Sequence, residues 1–311
     1  MGTPQFSVPS LQRLIDDGHQ IAAVFTQPDK PAGRGKHLQA PPIKTLALQH
    51  SIPVYQPQKI KNNEEVRSVF ETIVPDACIV VAYGKILPEW MLAIPRLGCI
   101  NVHASLLPKY RGAAPINWAI ARGEQVTGVT IMQMDPGMDT GPMLIQRSIE
   151  IGEQTTAPEL ADSLSHLGAN LLSDALPLIG KGSLTAKTQS DDQATNAPIL
   201  KREDGLIDWS MTAAEIANRV RGFQPWPASY TSFRGARLTI WRARSVNDGA
   251  AVSSSTSGGT VLNISEEGIT IACGGSTTLL VQEAQIEGKR RVAAREFANG
   301  ARLKPGEKLS E

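Results

Sequence analysis

Asn101 and His103 stand two residues apart in the run Gly98-Cys99-Ile100-Asn101-Val102-His103. The run is apolar and reads as a strand, so alternation turns both side chains to one face. It ends at Ala104-Ser105. In open α/β sheets ligands bind outside the carboxyl ends of strands, where both residues fall. An amide beside an imidazole can stabilise an oxyanion. Alone, the pair reads more readily as an interior histidine satisfied by a backbone carbonyl. A carboxylate follows at Asp139, in Asp135-Pro136-Gly137-Met138-Asp139-Thr140-Gly141-Pro142. The glycines of this loop permit positive φ and close backbone approach. There Asp139 could orient an imidazole and stabilise its charged form, or be an ordinary turn aspartate. Between these groups runs Ser105-Leu106-Leu107-Pro108-Lys109-Tyr110-Arg111-Gly112-Ala113-Ala114-Pro115-Ile116, stiffened by two prolines and carrying two cations.

The elements that must position these residues alternate in type. Strand-like runs are predicted at His19–Thr26, Pro53–Tyr55, Ala77–Ala82 and 98–103. Helices are predicted at Ile43–His50, Asn62–Ile73, Ala114–Arg122 and Thr156–Ile179. Thr127–Met134 and Met143–Ile151 flank the Asp139 loop and are expected to pair. Strands alternating with helices imply a parallel-rich α/β sheet. Lys181–Ile199 is polar and reads as a linker. A helix over Thr212–Arg221 is followed by short strands at Leu238–Trp241, Thr260–Leu262, Ile269–Ile271 and Thr278–Val281. Gly- and Ser-rich turns separate them, as in a small antiparallel barrel. The expected division is 1–180, a linker over 181–200, and 201–311.

The chain has 311 residues, of which 41% are hydrophobic and 20% charged, so a cored protein of about two domains is expected. The net charge of +1 excludes a globally basic coat protein or an acidic tail. Residues 1–200 carry a net of −2 and residues 201–311 a net of +3. No run approaches the roughly 18 apolar residues of a membrane span. The N-terminus has neither a signal nor a transit pattern. Three widely spaced cysteines, Cys78, Cys99 and Cys273, suit a reducing compartment and small buried side chains.

Taken together, Asn101-Val-His103-Ala-Ser105-Leu-Leu-Pro108, Arg111-Gly-Ala-Ala-Pro115 and Thr130-Ile-Met-Gln-Met-Asp-Pro-Gly-Met-Asp139-Thr-Gly resemble the folate-dependent formyltransferases. Matching segments also occur at Phe25–Lys36, at Val80-Val-Ala-Tyr-Gly84 and at Arg221-Gly-Phe-Gln-Pro-Trp-Pro227. The resemblance covers essentially the whole chain and is closest to the tRNA-acting members. It implies a Rossmann-like N-terminal domain and a smaller OB-like C-terminal barrel. The implied reaction moves the formyl group of 10-formyltetrahydrofolate to the α-amino group of methionine on initiator tRNA, without a metal. Asn101 and His103 would stabilise the oxyanion. Asp139 would orient His103, favour its charged form and manage protons through water.

By the same resemblance, Ser105, Leu106, Leu107 and Pro108 would contact the folate. Val80, Ala82, Tyr83 and Gly84 would line the pterin pocket, largely through backbone groups. Arg34, Lys36 and Lys44, in and beside a Gly-rich insertion, would meet the acceptor stem, and Lys201 and Arg202 would add backbone contacts. A bacterial cytoplasmic monomer, with no membrane partner, is expected. An amino-sugar nucleotide is the alternative acceptor. A non-catalytic relic would have lost one of Asn101, His103 and Asp139, and all three are present. In the family an apolar strand leads directly into Gly-Thr-Pro, whereas here Met1 immediately precedes Gly2. The resemblance therefore implies a missing first strand, a destabilised sheet and a native start several residues upstream.

Overall fold

The computed structural model describes residues 1–32, 37–246 and 256–309. The chain divides into two compact units. The first comprises Met1–Pro115, Val126–Glu150 and Ala161–Pro198. The second comprises Ile116–Gln125, Ile151–Leu160 and Ile199–Glu311.

The first unit opens with helix α1 (Val8–Asp16), strand β1 (Val24–Phe25) and a small antiparallel pair, β2 (Lys30–Ala32) and β3 (His37–Gln39). Helix α2 (Pro42–Gln49) leads to β4 (Val54–Tyr55), which pairs with β1 in parallel. After helix α3 (Glu64–Ile73) come β5 (Cys78–Val80), the short helix α4 (Glu89–Ala93) and β6 (Cys99–His103). The Asn63 side chain accepts from the Val66 N–H, capping α3 as the Asn-Asn-Glu-Glu run suggests. Between β6 and β7 (Val126–Gln133) the chain forms helix α5 (Pro115–Ala121), which from Ile116 on belongs to the second unit; β8 (Met143–Glu150) and helix α6 (Ala157–Gly180), of the first unit from Ala161 on, follow. The main sheet runs β5-β6-β7-β8: β5 and β6 are parallel, whereas the β7 and β8 pairings are antiparallel. Every residue of β6 is buried, which a strand covered on both faces requires. Gly168 of α6 lets the helix come down on the sheet, since a Cβ there would sit 2.8 Å from Val102 Cγ1.

Met1 and Gly2 sit between β1 and β5. The Met1 ammonium donates to the Ile79 carbonyl (2.7 Å), the Gly2 N–H to Phe25 (3.1 Å), and the Val81 N–H returns to Met1 (2.9 Å). Burial holds the Met1 ammonium below its ordinary pKa. A cavity of about 490 Å³ adjoins Met1, lined among others by Ile21–Phe25, Ala77–Ile79, Leu11, Leu14, Phe70 and Ile73. The eight-residue strand expected at 19–26 is paired over Val24 and Phe25 only.

In the second unit, helix α7 (Ala213–Gly222) starts at a reciprocal cap. The Thr212 hydroxyl accepts from the Glu215 N–H, and the Glu215 carboxylate accepts from the Thr212 N–H. Strands β9 (Ser229–Phe233), β10 (Ala236–Val246), β11 (Val261–Ser265), β12 (Gly268–Cys273), β13 (Thr277–Ile286) and β14 (Val292–Ala293) and helix α8 (Ala294–Ala301) complete it. The antiparallel sheet runs β11-β12-β13-β10-β9, with β14 on β13. Among the described residues β9 and β11 do not pair, so the path is open where a closed barrel was expected. Ile216 and Val220 of α7, Phe297 of α8, and Ile240, Ile271 and Leu279 of the sheet share one core. Gly222 approaches Asn117 and Ala121 closely, and the Asn117 amide donates to its carbonyl at 2.7 Å. The three cysteines are free and buried. Among the described residues no helix is long and apolar enough to cross a membrane.

Candidate active site

Strand β6 carries Asn101 and His103 to the carboxyl edge of the main sheet. Both are buried, at 9% and 6% exposure. The β7–β8 loop brings Asp139 to them. Asn101 Nδ2 donates to Asp139 Oδ1 at 3.3 Å, and the Gly112 N–H donates to Asp139 Oδ2 at 2.8 Å. His103 Nδ1 lies 3.6 Å from Asp139 Oδ2, an ion-pair distance but too long for a hydrogen bond. The other ring nitrogen, Nε2, lies 3.0 Å from the Tyr110 carbonyl. A carbonyl only accepts, so Nε2 must carry a proton and donate. Nδ1 is thereby left towards the carboxylate. One carboxylate thus touches an amide and an imidazole from one strand and a backbone N–H from a separate turn. The second hydrogen of the Asn101 amide has no protein partner among the described residues and remains available to a ligand.

Asp139 adopts φ +55°, a left-handed conformation that aspartate tolerates better than most residues. Gly112, at φ +122°, leaves no room for a side chain: a Cβ would lie 2.7 Å from the Ala197 carbonyl oxygen.

The stretch from Ser105 to Pro108 is held from beneath. The Thr130 hydroxyl donates to the Ser105 carbonyl (2.7 Å) and accepts from the Leu107 N–H (3.1 Å). Gln146 donates to the Leu107 carbonyl (2.9 Å), and Ser105 Oγ donates to the Lys109 carbonyl (2.6 Å). Ser105 and Leu107 are buried, whereas Leu106 and Pro108 are partly exposed. On the neighbouring strand Val80 is in register with Asn101, so the turn after β5 opens beside the catalytic candidates. Ala82 and Gly84 have positive φ and are exposed. Tyr83 points into the core with its hydroxyl unpartnered, and burial pushes its phenol up to about 12. Its carbonyl accepts from Thr3 Oγ1 and Gln27 Nε2, both at 3.2 Å.

The basic candidates divide. Arg34 and Lys36 lie outside the described residues. Lys44 is engaged: its ammonium donates to both Asp29 oxygens (2.9 and 2.8 Å) and to Gln56 Oε1 (2.8 Å). Hydrogen bonds from Gln56 and Lys44 hold the Asp29 carboxyl below its ordinary pKa. Lys201 and Arg202 are exposed on the second unit.

Several functional groups escaped the sequence reading. Tyr110 contributes a carbonyl, which leaves no side-chain signature. Thr130 sits inside the quoted motif but reads as a strand residue. Gln189 lies in the polar stretch read as a linker. There the structure pairs Met143 with Lys187 and Arg111 with Asn196.

Residues 1–176 match the formyl transferase family and residues 199–302 match the formyl transferase C-terminal domain. The chain belongs to the formyl transferase family. Its similarity to particular members is closer still. It is 47% identical over 311 residues to the methionyl-tRNA formyltransferase of Geobacter sulfurreducens, covering 100% of this chain and 96% of that protein. It is 50% identical over 308 residues to the methionyl-tRNA formyltransferase of Koribacter versatilis, covering 99% and 96%. Among solved structures, the sugar 3N-formyl transferase WlaRD, crystallised with dTDP and 5-N-formyl-THF, superposes with a TM-score of 0.67 at 19% identity. That match covers 93% of this chain and 97% of that one, and it shows a shared fold.

Proposed function

We propose that the protein transfers the formyl group of 10-formyltetrahydrofolate to the α-amino group of methionyl initiator tRNA. Full-length similarity to proteins named for that reaction supports the acceptor. The observation that carries the chemistry is the convergence of Asn101, His103 and Gly112 on the Asp139 carboxylate at a strand's carboxyl edge.

The donor supplies an activated formyl carbon. The attacking amine must be neutral; its attack places negative charge on the formyl oxygen, and collapse of that intermediate breaks the formyl–N10 bond, tetrahydrofolate leaving with a proton on N10 as the new amide nitrogen gives one up. The free Asn101 amide hydrogen is the donor available to that charge; the His103 Nε2–H becomes a second donor only by leaving the Tyr110 carbonyl. Asp139 holds both in place and offsets positive charge that develops on the ring. Its carboxylate, 17% exposed, can also pass a proton to water. The backbone of Val80, Ala82, Tyr83 and Gly84 and the run Ser105, Leu106, Leu107 and Pro108 would hold the folate. The exposed Ala82 and Gly84 fit that role better than Tyr83, whose side chain is buried and whose carbonyl is taken.

On this reading residues 1–180 are catalytic, and residues 201–311 form an OB-like tRNA-binding domain with Lys201 and Arg202 on its surface. Arg34 and Lys36 complete the acceptor-stem contact. Lys44 enters it by releasing Asp29 or acts only by shaping the loop. The setting is a bacterial cytoplasm and the working form a monomer.

The experiment is formyl transfer to charged initiator tRNA against transfer to an amino-sugar nucleotide, each with wild type and His103→Ala. Transfer to the tRNA that falls by about 100-fold or more in the variant is expected, the scale of a lost oxyanion donor. Activity only on the sugar, or full activity of His103→Ala at saturating donor, overturns the reading.

A further inference from the structure

Resting on that assignment of Asp139, we propose that Gln189 is a positioning residue for catalysis, holding the Asp139 backbone in the geometry the reaction uses. Gln189 is buried at 8% exposure. Its Nε2 donates to two carbonyls of the catalytic loop, those of Asp139 and Gly141, each at 2.7 Å. Its Oε1 accepts from Arg111 Nε at 2.9 Å. Two donated hydrogens and one accepted bond satisfy the amide, and they fix which way it faces. Glutamate has no hydrogen to give the carbonyls, and leucine has neither group.

The contact falls where the backbone needs it. Asp139 is held left-handed, and such residues persist when their surroundings over-determine them. The Asp139 side chain spans Asn101, Gly112 and His103, so a rotation of its backbone moves the carboxylate away from all three. Gln189 itself is braced. Lys187 pairs with Met143 through two 2.8 Å hydrogen bonds, and Thr195 and Ala197 exchange backbone bonds with Arg111 (2.8 and 2.7 Å). The Tyr110 N–H donates to Thr195 Oγ1 at 2.9 Å. Tyr110 in turn presents the carbonyl that accepts the hydrogen bond from His103 Nε2. Arg111 completes the strap through Asp191 Oδ1 at 2.9 Å. Residues 187–197 therefore buttress both neighbours of His103, the Asp139 loop and the Tyr110–Gly112 turn.

The test is a set of variants assayed well below their melting temperatures. Gln189→Leu and Gln189→Glu should each lower kcat by about 30- to 100-fold, the scale of a misplaced catalytic group, with KM for donor and tRNA within threefold. The glutamate variant keeps the size and the Arg111 partner, and it carries the test if the leucine variant fails to fold. The decisive measurement is the double variant Gln189→Glu/Asp139→Asn. If Gln189 acts through Asp139, the double variant loses no more than Asp139→Asn alone. Additive losses overturn the proposal, as does a Gln189→Glu enzyme with kcat within threefold of wild type. His103→Ala run beside them separates the two claims. An inactive His103→Ala with active Gln189 variants refutes only the positioning role, whereas a fully active His103→Ala refutes the site itself.

Discussion

Removing the charge of Asp139 without disturbing its backbone tests the electrostatic core of the site. Asparagine is the suitable replacement, because it too accepts the left-handed φ of +55°. The carboxylate lies 3.6 Å from His103 Nδ1. At that separation and an effective dielectric of about 20, a charge on the ring and the carboxylate interact by about 4–5 kcal/mol. The Asp139 side chain is 17% exposed, so water screens part of this. A loss of about 2–4 kcal/mol remains, or about 30- to 1000-fold in rate. Steric substitution is not neutral either. The new amide group must face Asn101 Nδ2 on one side or the Gly112 N–H on the other, and one contact becomes donor against donor. Asp139→Ala separates charge from strain: it loses a similar amount of activity but adds a left-handed penalty of about 1 kcal/mol in stability. Single-turnover formyl transfer at saturating donor, with calorimetric melting of each variant, reads both effects. An Asp139→Asn enzyme within fivefold of wild type would refute the reasoning, because no other carboxylate is hydrogen-bonded to Asn101 among the described residues.

Tyr83→Phe should leave the melting temperature unchanged or raise it, since the hydroxyl it removes is buried without a partner, a situation that costs about 1 kcal/mol or more. Because burial lifts the phenol to about 12 from its ordinary 10, the stability that the neutral phenol confers is complete below about pH 10 and is lost as pH rises towards 12. Urea titrations across that window should show the loss in wild type and not in the Phe variant. Gly112→Ala should lower both stability and kcat, because its Cβ would meet the Ala197 carbonyl at 2.7 Å and push the Gly112 N–H off Asp139. Gly235→Ala, at φ +80° with open space around it, should cost only about 1 kcal/mol and no activity. Equal melting shifts for the two glycine variants would contradict this.

Much of the fold is legible where local signals agree with packing. The helical runs Asn62–Ile73 and Thr212–Arg221 place α3 and α7 to within two residues. The pairing of β7 with β8 follows from two apolar runs around a Gly-rich loop. The reading fails where pairing is decided by tertiary partners. His19–Thr26 is apolar and β-rich, yet a strand needs a neighbour for its N–H and C=O groups. Here β4 pairs over two residues only, and residues 21–23 line a cavity. Strand β9 reads Ser-Tyr-Thr-Ser-Phe and gives too short an alternation to separate from the Pro-rich turn before it. Helix α8 hides in a charged stretch, its buried face reduced to Ala294, Phe297 and Ala298.

The candidate site shows a sharper division, between what side chains announce and what backbone groups do. Asn101, His103 and Asp139 were found because each is a chemical type at a suggestive spacing. The acceptor that orients His103 is the carbonyl of Tyr110, and the donor that fixes Asp139 is the N–H of Gly112. Any residue carries those atoms, so their identity is set by path rather than by type. The same reasoning explains Lys44, whose charge counts as basic in composition but is held by Asp29 and Gln56. A cation already satisfied by a carboxylate must give up that partner before it can bind a phosphate, so such a lysine offers less to a phosphate backbone than an exposed one. Local charge therefore has to be counted after pairing. Lys201 and Arg202, exposed on the second unit, make no such ion pair among the described residues.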